Sequence, residues 1–556
     1  MVLRQQGSGI LDEIARIPVE RLVEKSINSP EWQLVLDRER VRALEILDQI
    51  EQKYLDFEMD PREYGLSLRT RLVNWMSVMY HHRNQVRKSG GYYSEHLWNS
   101  LSLAIKSGFI EDVLNDSIIG HDTIEDIPEV RTEIMDLFFN LYEDIKPDPL
   151  FNLEYTQYCN DQAWDDITAV SKPKIDNKSL RSQKYLEMLL KKLLENGKAI
   201  LIKLFDRLHN METIAAQPVE KQSNIAKETM EIFVPIAKRL GLYKIQEELV
   251  RLSLQVLNPN LIKDFNEYIA EEIDTIENAH PFFSELKEKL NYKAETKNQE
   301  TPTGIEEIRT KMKELGIEGL VYSPTGIVDI RVEPHLLVSR FDILDLSKGV
   351  ENLTLEDLRL PELETFANIT ILAKNREDLL AICDKIRRDY PVPRQENPAH
   401  GQHRGQTIKI IVEGLGKVFI RVNDLKNEAL STRGRFDEID NFQVPDDIII
   451  AIDQTLKTVE ETSLDIRKVL SPELFGQQIS IIVVLSPENK TFTLMVPPNI
   501  TAKELYTRVT GKKRIPKNIE TRIATSLWAD RWENTTVKAP GNRFENRQYV
   551  LFKNTN

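Results

Sequence analysis

The sequence predicts a multidomain chain: an all-α unit, then an α+β unit, then a small unit rich in strands. Three observations carry that expectation. The chain has 556 residues, enough for two to four domains. Up to about residue 290 the apolar residues recur at the helical period, whereas beyond the polar stretch KAETKNQETPTG at 293–304 they fall in short runs of the strand type. From about Gln478 the segment ISIIVVLSPENKTFTLMVPP reads as two strands joined by a polar turn.

In the first unit, Val41, Leu44, Leu47 and Ile50 predict a helix between Val35 and Leu55. Leu186, Leu189, Leu190, Leu193 and Leu194 form a second apolar stripe, closed by the turn signal Asn196-Gly197. The next helix starts near Lys198 and runs past Met211. Residues from Ile225 to Leu254 read as helix with a break near Pro235 or Gly241. In the second unit GIVDIRVEP, FANITILA, QTIKIIVEG and KVFIRV read as strands, with a helix over Arg376–Arg388. In the third a helix is expected to open at Thr501. The boundaries are 1–60 for an N-terminal helical extension, 61–292 for the main helical domain, 305–470 for the α+β domain and 478–556 for the last.

Hydrophobic residues make up 41% and charged residues 29%, so the chain can bury real cores. A net charge of −14 argues against a general nucleic-acid or anionic-membrane binder. A small anionic substrate stays open, because a local basic cluster or a bound metal overrides the global sign. The two cysteines, Cys159 and Cys383, make no metal-type pair and allow at most one bridge, which fits a reducing cytoplasm. The first residues show no secretory leader, and no uncharged apolar run is long enough to span a bilayer.

Chemistry concentrates in three segments. In GHDTIEDIP (Gly120 to Pro128), His121 and Asp122 are followed one helical turn later by Glu125 and Asp126. Three carboxylates and an imidazole within two turns are costly unless a cation sits among them, although a solvated acidic helix end has the same composition. In KAILIKLFDRLHNMETI (Lys198 to Ile214), Lys203, Asp206, Asn210 and Thr213 share one face of a very apolar helix, and a polar stripe there lines a site or a buried network. In HHRNQVRKSGGYYSEH (His81 to His96), Arg87, Lys88 and Ser89 precede Gly90-Gly91, and this loop offers two cations and a hydroxyl to an anion. His96 follows on the next helix. Together His96, His121, Asp122 and Asp206 are mixed imidazole and carboxylate ligands, suited to Mn²⁺, Fe²⁺ or a similar ion. Glu125 and Asp126 would then handle protons and orient a water.

The order H…HD…D is the pattern of HD-domain phosphohydrolases. The segments RKSGGYYSEH, HDTIED, LIKLFDRLHNM and ETMEIFVPIAKRLGLYKIQEEL followed by LNP resemble the hydrolase half of the RelA/SpoT homologue family over roughly His82 to Pro259. That half degrades the guanine nucleotide alarmone (p)ppGpp to GDP or GTP and pyrophosphate with Mn²⁺. The resemblance implies that His96, His121, Asp122 and Asp206 are metal ligands, that Glu125 and Asp126 are the catalytic acidic pair, and that Arg87, Lys88, Ser89 and Asn210 contact the nucleotide. Three positions depart from the family pattern: Tyr92 for a usual proline, Glu212 for an arginine and Lys238 for a histidine.

The resemblance further implies an all-α HD-domain hydrolase followed by an α+β synthetase-like domain and a small β-grasp, TGS-like domain beginning near Ile479. Phe366, Ala367 and Asn368 stand where the synthetase's magnesium-binding Asp should lie, and Phe419 stands near its Glu. The synthetase-like domain is therefore expected to be degenerate and to control the hydrolase, with the C-terminal domains as a candidate contact for a protein regulator. Two other readings keep the same residues: a phosphohydrolase of another phosphorylated nucleotide, and a non-catalytic alarmone-binding regulator. A complete ligand set and an intact Glu-Asp pair disfavour the second of these.

Overall fold

The computed structural model describes residues 2–16, 29–57, 59, 68–88, 90–123, 153–171, 178–195, 197–290, 292, 326–334, 350–358, 367–390 and 406–434, a few positions from 436 to 460, Tyr506, and strands within 479–554. By contact density the chain divides into one unit of residues 1–181, 195–395 and 401–443 and another of 182–194, 396–400 and 444–556.

The first unit opens with α1 (Val2–Ala15), α2 (Ser29–Asp56), α3 (Leu68–His81), α4 (Tyr93–Lys106), α5 (Asp112–Gly120) and α6 (Leu153–Val170). After α7 (Lys178–Glu195) follow α8 (Lys198–Glu212), α9 (Val219–Glu228), α10 (Val234–Arg239), α11 (Tyr243–Leu257), α12 (Pro259–Asp274) and α13 (Phe282–Lys289). The centre is α4, which packs on α2, α5 and α8. Its Leu97, Trp98, Leu101, Ala104 and Ile105 are buried, and each large side chain contributes roughly 1.5–3 kcal/mol.

The core face of α2 differs from the expected one. Val41 is 58% exposed, while Val35, Leu36, Ala43, Ile46, Leu47 and Ile50 are buried. The reason is Glu39, a polar residue on the buried face. Its carboxylate accepts from Trp98 Nε1 at 2.8 Å and from Arg38 Nε at 2.5 Å, so burial leaves no bare charge. The break expected in the 225–254 stretch falls at Gly241, whose φ of 69° suits glycine alone without strain. Pro235 does not end the helix: a π-helical turn, Thr229–Phe233, precedes it and joins α9 to α10. Asn258 caps α12 by accepting from Leu261 N at 3.1 Å, with Pro259 as the first helical residue.

All four strands expected in the α+β region form: β1 (Ile327–Pro334), β2 (Ala367–Ala373), β3 (Gln406–Val412) and β4 (Gly416–Asp424). Their order is β1-β2-β4-β3, with β2 and β4 parallel and the other pairs antiparallel. One face carries Ile330, Val332, Ile369, Ile371, Ile408, Ile410, Ile420 and Val422. It packs with Phe282, Phe283 and Leu286 of α13 and with Leu379, Ile382 and Ile386 of α14 (Arg376–Asp389). The helical region thus supplies part of the sheet's own core. The sequence ends this region with α15 (Leu425–Ser431), capped by Asp424, which accepts from Asn427 N at 2.8 Å.

The second unit holds β5 (Ile479–Ser486), β6 (Lys490–Val496), β7 (Ile519–Ala524), β8 (Glu533–Asn534) and β9 (Gln548–Asn554) in the order β6-β5-β9-β7-β8. β5 and β6 form the expected hairpin, and β5 pairs in parallel with β9. The polar stretch 293–304 lies outside the described residues, as does most of the helix expected from Thr501. Both cysteines are buried free thiols. Among the described residues no helix is long and apolar enough to cross a membrane.

Candidate metal centre

Three helices deliver the ligands. His96 lies on the first turn of α4, His121 and Asp122 on the turn that closes α5, and Asp206 in the middle of α8. His96 Nε2 lies 3.3 Å from Asp206 Oδ1 and 3.7 Å from Asp122 Oδ2. His121 Nε2 lies 3.3 Å from Asp122 Oδ2 and 3.6 Å from Asp206 Oδ1. Candidate ligand atoms of His96, His121 and Asp206 all fall within 4.8 Å of one another.

The donor set fits a divalent ion. His121 Nδ1 donates to Ile118 O at 2.7 Å, which fixes the ring with Nε2 toward the carboxylates. That Nε2 is buried and makes no hydrogen bond. Burial opposes the charged form of His121, yet the carboxylates of Asp122 and Asp206 outweigh it and raise the pKa to about 10. Burial likewise opposes ionised Asp122 and Asp206, and their imidazole neighbours hold both well below the usual carboxylate range. Lys203 Nζ approaches Asp206 at 3.8 Å. Two partly buried carboxylates and two buried imidazoles facing one point are the ligand types that bind Mn²⁺-like ions.

A surrounding layer holds these ligands. His96 Nδ1 and His209 Nδ1 are 2.6 Å apart. The Arg87 guanidinium lies 3.3 Å from the same His209 atom, and Asn99 Nδ2 lies 3.2 Å from the other ring nitrogen, Nε2. Burial, then His96 and Arg87, lower the pKa of His209 to about 3, so its ring is neutral. The Tyr93 hydroxyl donates to Asp122 Oδ2, and its ring stacks on His82 at 5.1 Å. At the rim, Arg87 Nη2 donates to Asn210 Oδ1 at 2.7 Å and Asn210 Nδ2 donates to Asp206 Oδ1 at 2.6 Å. Arg87 starts a tight turn in which its N–H donates to Gly91 O at 2.8 Å and Gly90 takes φ 90°.

The structure therefore brings together His96, His121, Asp122, Asp206, Arg87 and Asn210. Lys88 stands exposed on the adjoining turn, while Ser89, Glu125 and Asp126 lie outside the described residues. Glu212 faces a different set of charges, with Glu248, Lys106 and Arg251 as its neighbours. Sequence reasoning missed His209 and Tyr93. Their spacing was the available signal: Tyr93 is three residues before His96, and His209 three after Asp206, each on the ligand's own helix face.

Residues 162–243, which include Asp206 and Asn210, match the HD domain family. Over 204 residues the chain is 32% identical to a probable chloroplastic GTP diphosphokinase of Oryza sativa subsp. japonica, covering 35% of this chain and 26% of that protein. Over 230 residues it is 29% identical to a GTP pyrophosphokinase of Brucella melitensis biotype 1, covering 41% and 28%. Over 179 residues it is 30% identical to a guanosine-3′,5′-bis(diphosphate) 3′-pyrophosphohydrolase of Spiroplasma citri, covering 32% and 21%. The chain thus spans about a quarter of the length of these relatives. The matched stretch includes α8, the helix of Asp206, and the HD class implies a divalent metal. The part of the chain that carries this stretch is similar to the GTP diphosphokinase, the GTP pyrophosphokinase and the pyrophosphohydrolase.

Proposed function

We propose that the chain is a Mn²⁺-dependent (p)ppGpp 3′-pyrophosphohydrolase that acts in the cytoplasm and makes no alarmone. The observation that carries this reading is the convergence of two buried imidazoles and two partly buried carboxylates from three helices beneath a rim of Arg87 and Asn210. His96, His121, Asp122 and Asp206 would hold the ion. When bound, it supplies Lewis acidity toward a phosphoryl oxygen and a water of lowered pKa. The chain's own groups do the rest. His209 orients His96, and Tyr93 holds Asp122. Arg87 and Lys88 place positive charge where the substrate's phosphates enter, with Ser89 and Asn210 as hydrogen-bonding contacts. Glu125 and Asp126, assigned on sequence spacing, move protons at the attacking water and the leaving group.

The synthetase-like region supports the hydrolase-only reading. Ala367 and Asn368 are buried in β2 and Phe419 is half-buried in β4, and neither an aromatic ring nor an alanine holds Mg²⁺. Its packed sheet is a candidate surface for control of the hydrolase and for contact with a protein regulator. The test incubates purified protein and Mn²⁺ with ppGpp, pppGpp and other 3′- or 2′-phosphorylated nucleotides and identifies the released group. Pyrophosphate from the alarmones, lost in chelator, is expected. Turnover of a different nucleotide alone would replace the substrate, and no turnover of any would leave an alarmone-binding regulator.

A further inference from the structure

Past the four-stranded sheet, Thr432, Arg433, Phe436 and Phe442 make contacts with the elements that carry the metal ligands. Arg433 is fully buried, at 0% exposure. Its Nη1 donates to Gly108 O at 2.6 Å, its Nε to Phe436 O at 2.7 Å, and its Nη2 to Glu111 Oε1. The guanidinium also lies 4.7 Å from the centre of the Phe109 ring. Beside it, Thr432 Oγ1 donates to Ser107 O at 2.7 Å.

Each of these contacts reaches an element that carries a ligand. Ser107 and Gly108 close α4, the helix of His96. Glu111 is the residue before α5, whose other end presents His121 and Asp122. Phe109 meets Phe205, the neighbour of Asp206, edge-on at 5.7 Å. Phe436 in turn packs on Phe109 at 6.2 Å. At the start of α8, Gly197 N donates to Phe442 O at 3.0 Å. A Cβ on Gly197 would meet the Phe436 ring at 2.7 Å and Phe442 O at 2.9 Å.

We propose that Arg433 is a positioning residue for the metal centre, fixing α4, α5 and α8 relative to one another from outside the HD domain. The physical basis is its chemistry. A guanidinium satisfies several acceptors in one rigid plane, and here the acceptors are a carbonyl at the end of α4 and a carboxylate at the start of α5. Without the guanidinium, Glu111 stays buried without its counter-charge, and the turn between the two helices must open to hydrate it. That movement shifts His96 and the His121-Asp122 pair against Asp206. The inference rests on the metal reading proposed above and is independent of which nucleotide is the substrate.

The test uses the full chain and Mn²⁺ alone, titrated by calorimetry, with metal-induced thermal shift as a second measure. Arg433→Met, folded by circular dichroism, should bind Mn²⁺ roughly tenfold or more weakly, as loss of a group supporting metal ligands does. Arg433→Lys, which keeps the charge but not the fork, should fall between. With nucleotide present, kcat should drop while KM moves less. Gly197→Ala is the second variant. Its backbone, at φ −66°, suits alanine, so an unoccupied space there would make it neutral or mildly stabilising. Pressure on Phe436 should instead weaken Mn²⁺ binding. Wild-type Mn²⁺ affinity in Arg433→Met, or in Gly197→Ala if Arg433→Met does not fold, would overturn the inference. A wild-type protein that binds no Mn²⁺ overturns this inference and the metal reading together. One that binds Mn²⁺ but cleaves a different nucleotide overturns only the substrate.

Discussion

The Nδ1 atoms of His96 and His209 lie 2.6 Å apart, so one imidazole gives its proton to the other. Arg87 and Asn99 meet the two ring nitrogens of His209, and His96 Nε2 faces Asp206 at 3.3 Å. A ligand imidazole ordinarily donates to a carboxylate or carbonyl, and here a second imidazole takes that place.

His209→Ala removes the hydrogen-bond partner of His96 Nδ1 and frees the His96 ring to rotate. Metal affinity and turnover should each fall roughly 10–100-fold, the usual cost of losing such a partner. Calorimetric titration with Mn²⁺ measures the first and pyrophosphate release the second. Unchanged affinity would mean that packing alone orients His96.

Replacing a ligand is a harsher change. His121→Ala or Asp122→Ala should abolish turnover and weaken metal binding, and treatment of the wild type with chelator should do the same reversibly. Full activity in excess chelator would remove the metal from the reaction.

Arg87 tests the rim. Arg87→Ala should raise KM more than it lowers kcat, by the roughly 1.5–3 kcal/mol of a charged hydrogen bond. Steady-state kinetics with the alarmone separate the two. A loss confined to kcat would place the role of Arg87 on His209 rather than on the nucleotide.

Asp116 gives a pH dependence away from the ligands. Burial, with Asp112 adding to it, raises its pKa from 3.8 to about 7 against Arg71 and the bonds from Asn74 and Trp75. Over that window the folded protein holds a proton that the unfolded chain releases, so stability falls as pH rises and levels off above about 7. Asp116→Asn should remove this slope, gaining on the wild type by on the order of a few kcal/mol between acid and neutral pH. Denaturant titrations at pH 5 and pH 8 check it, and parallel curves would show that Asp116 does not titrate in this range.

The four-stranded sheet of β1 to β4 should transfer nothing. With Ala367 and Asn368 buried in β2, incubation with labelled ATP and GDP or GTP should yield no tetra- or pentaphosphate. Labelled product on thin-layer chromatography would contradict that.

Parts of this arrangement were legible in the sequence. Lys203, Asp206 and Asn210 share a face of an otherwise apolar helix, and the structure turns that stripe inward, with Lys203 at 2% exposure. The four strands were legible because each is a short apolar run bounded by turns. Val41 misled because periodicity cannot tell that Glu39, once paired with Trp98, belongs to the core face. His209 was hidden because its partner is 113 residues away. Arg433 was the least visible: in STRGRF it reads as a solvated turn residue, and only a fold that brings Gly108 and Glu111 against it makes burial tolerable.

The Arg433–Gly108 contact joins residues 325 positions apart. A chain leaving the ribosome displays His96, His121, Asp122 and Asp206 long before Arg433 has been translated. Until then Glu111 lacks the Arg433 guanidinium, and the three ligand-bearing helices lack this common brace. Local helices form early, and contacts this distant in sequence form late. Ion capture therefore waits for the strand region to finish, so a truncated translation product would carry every ligand and still be a poor enzyme.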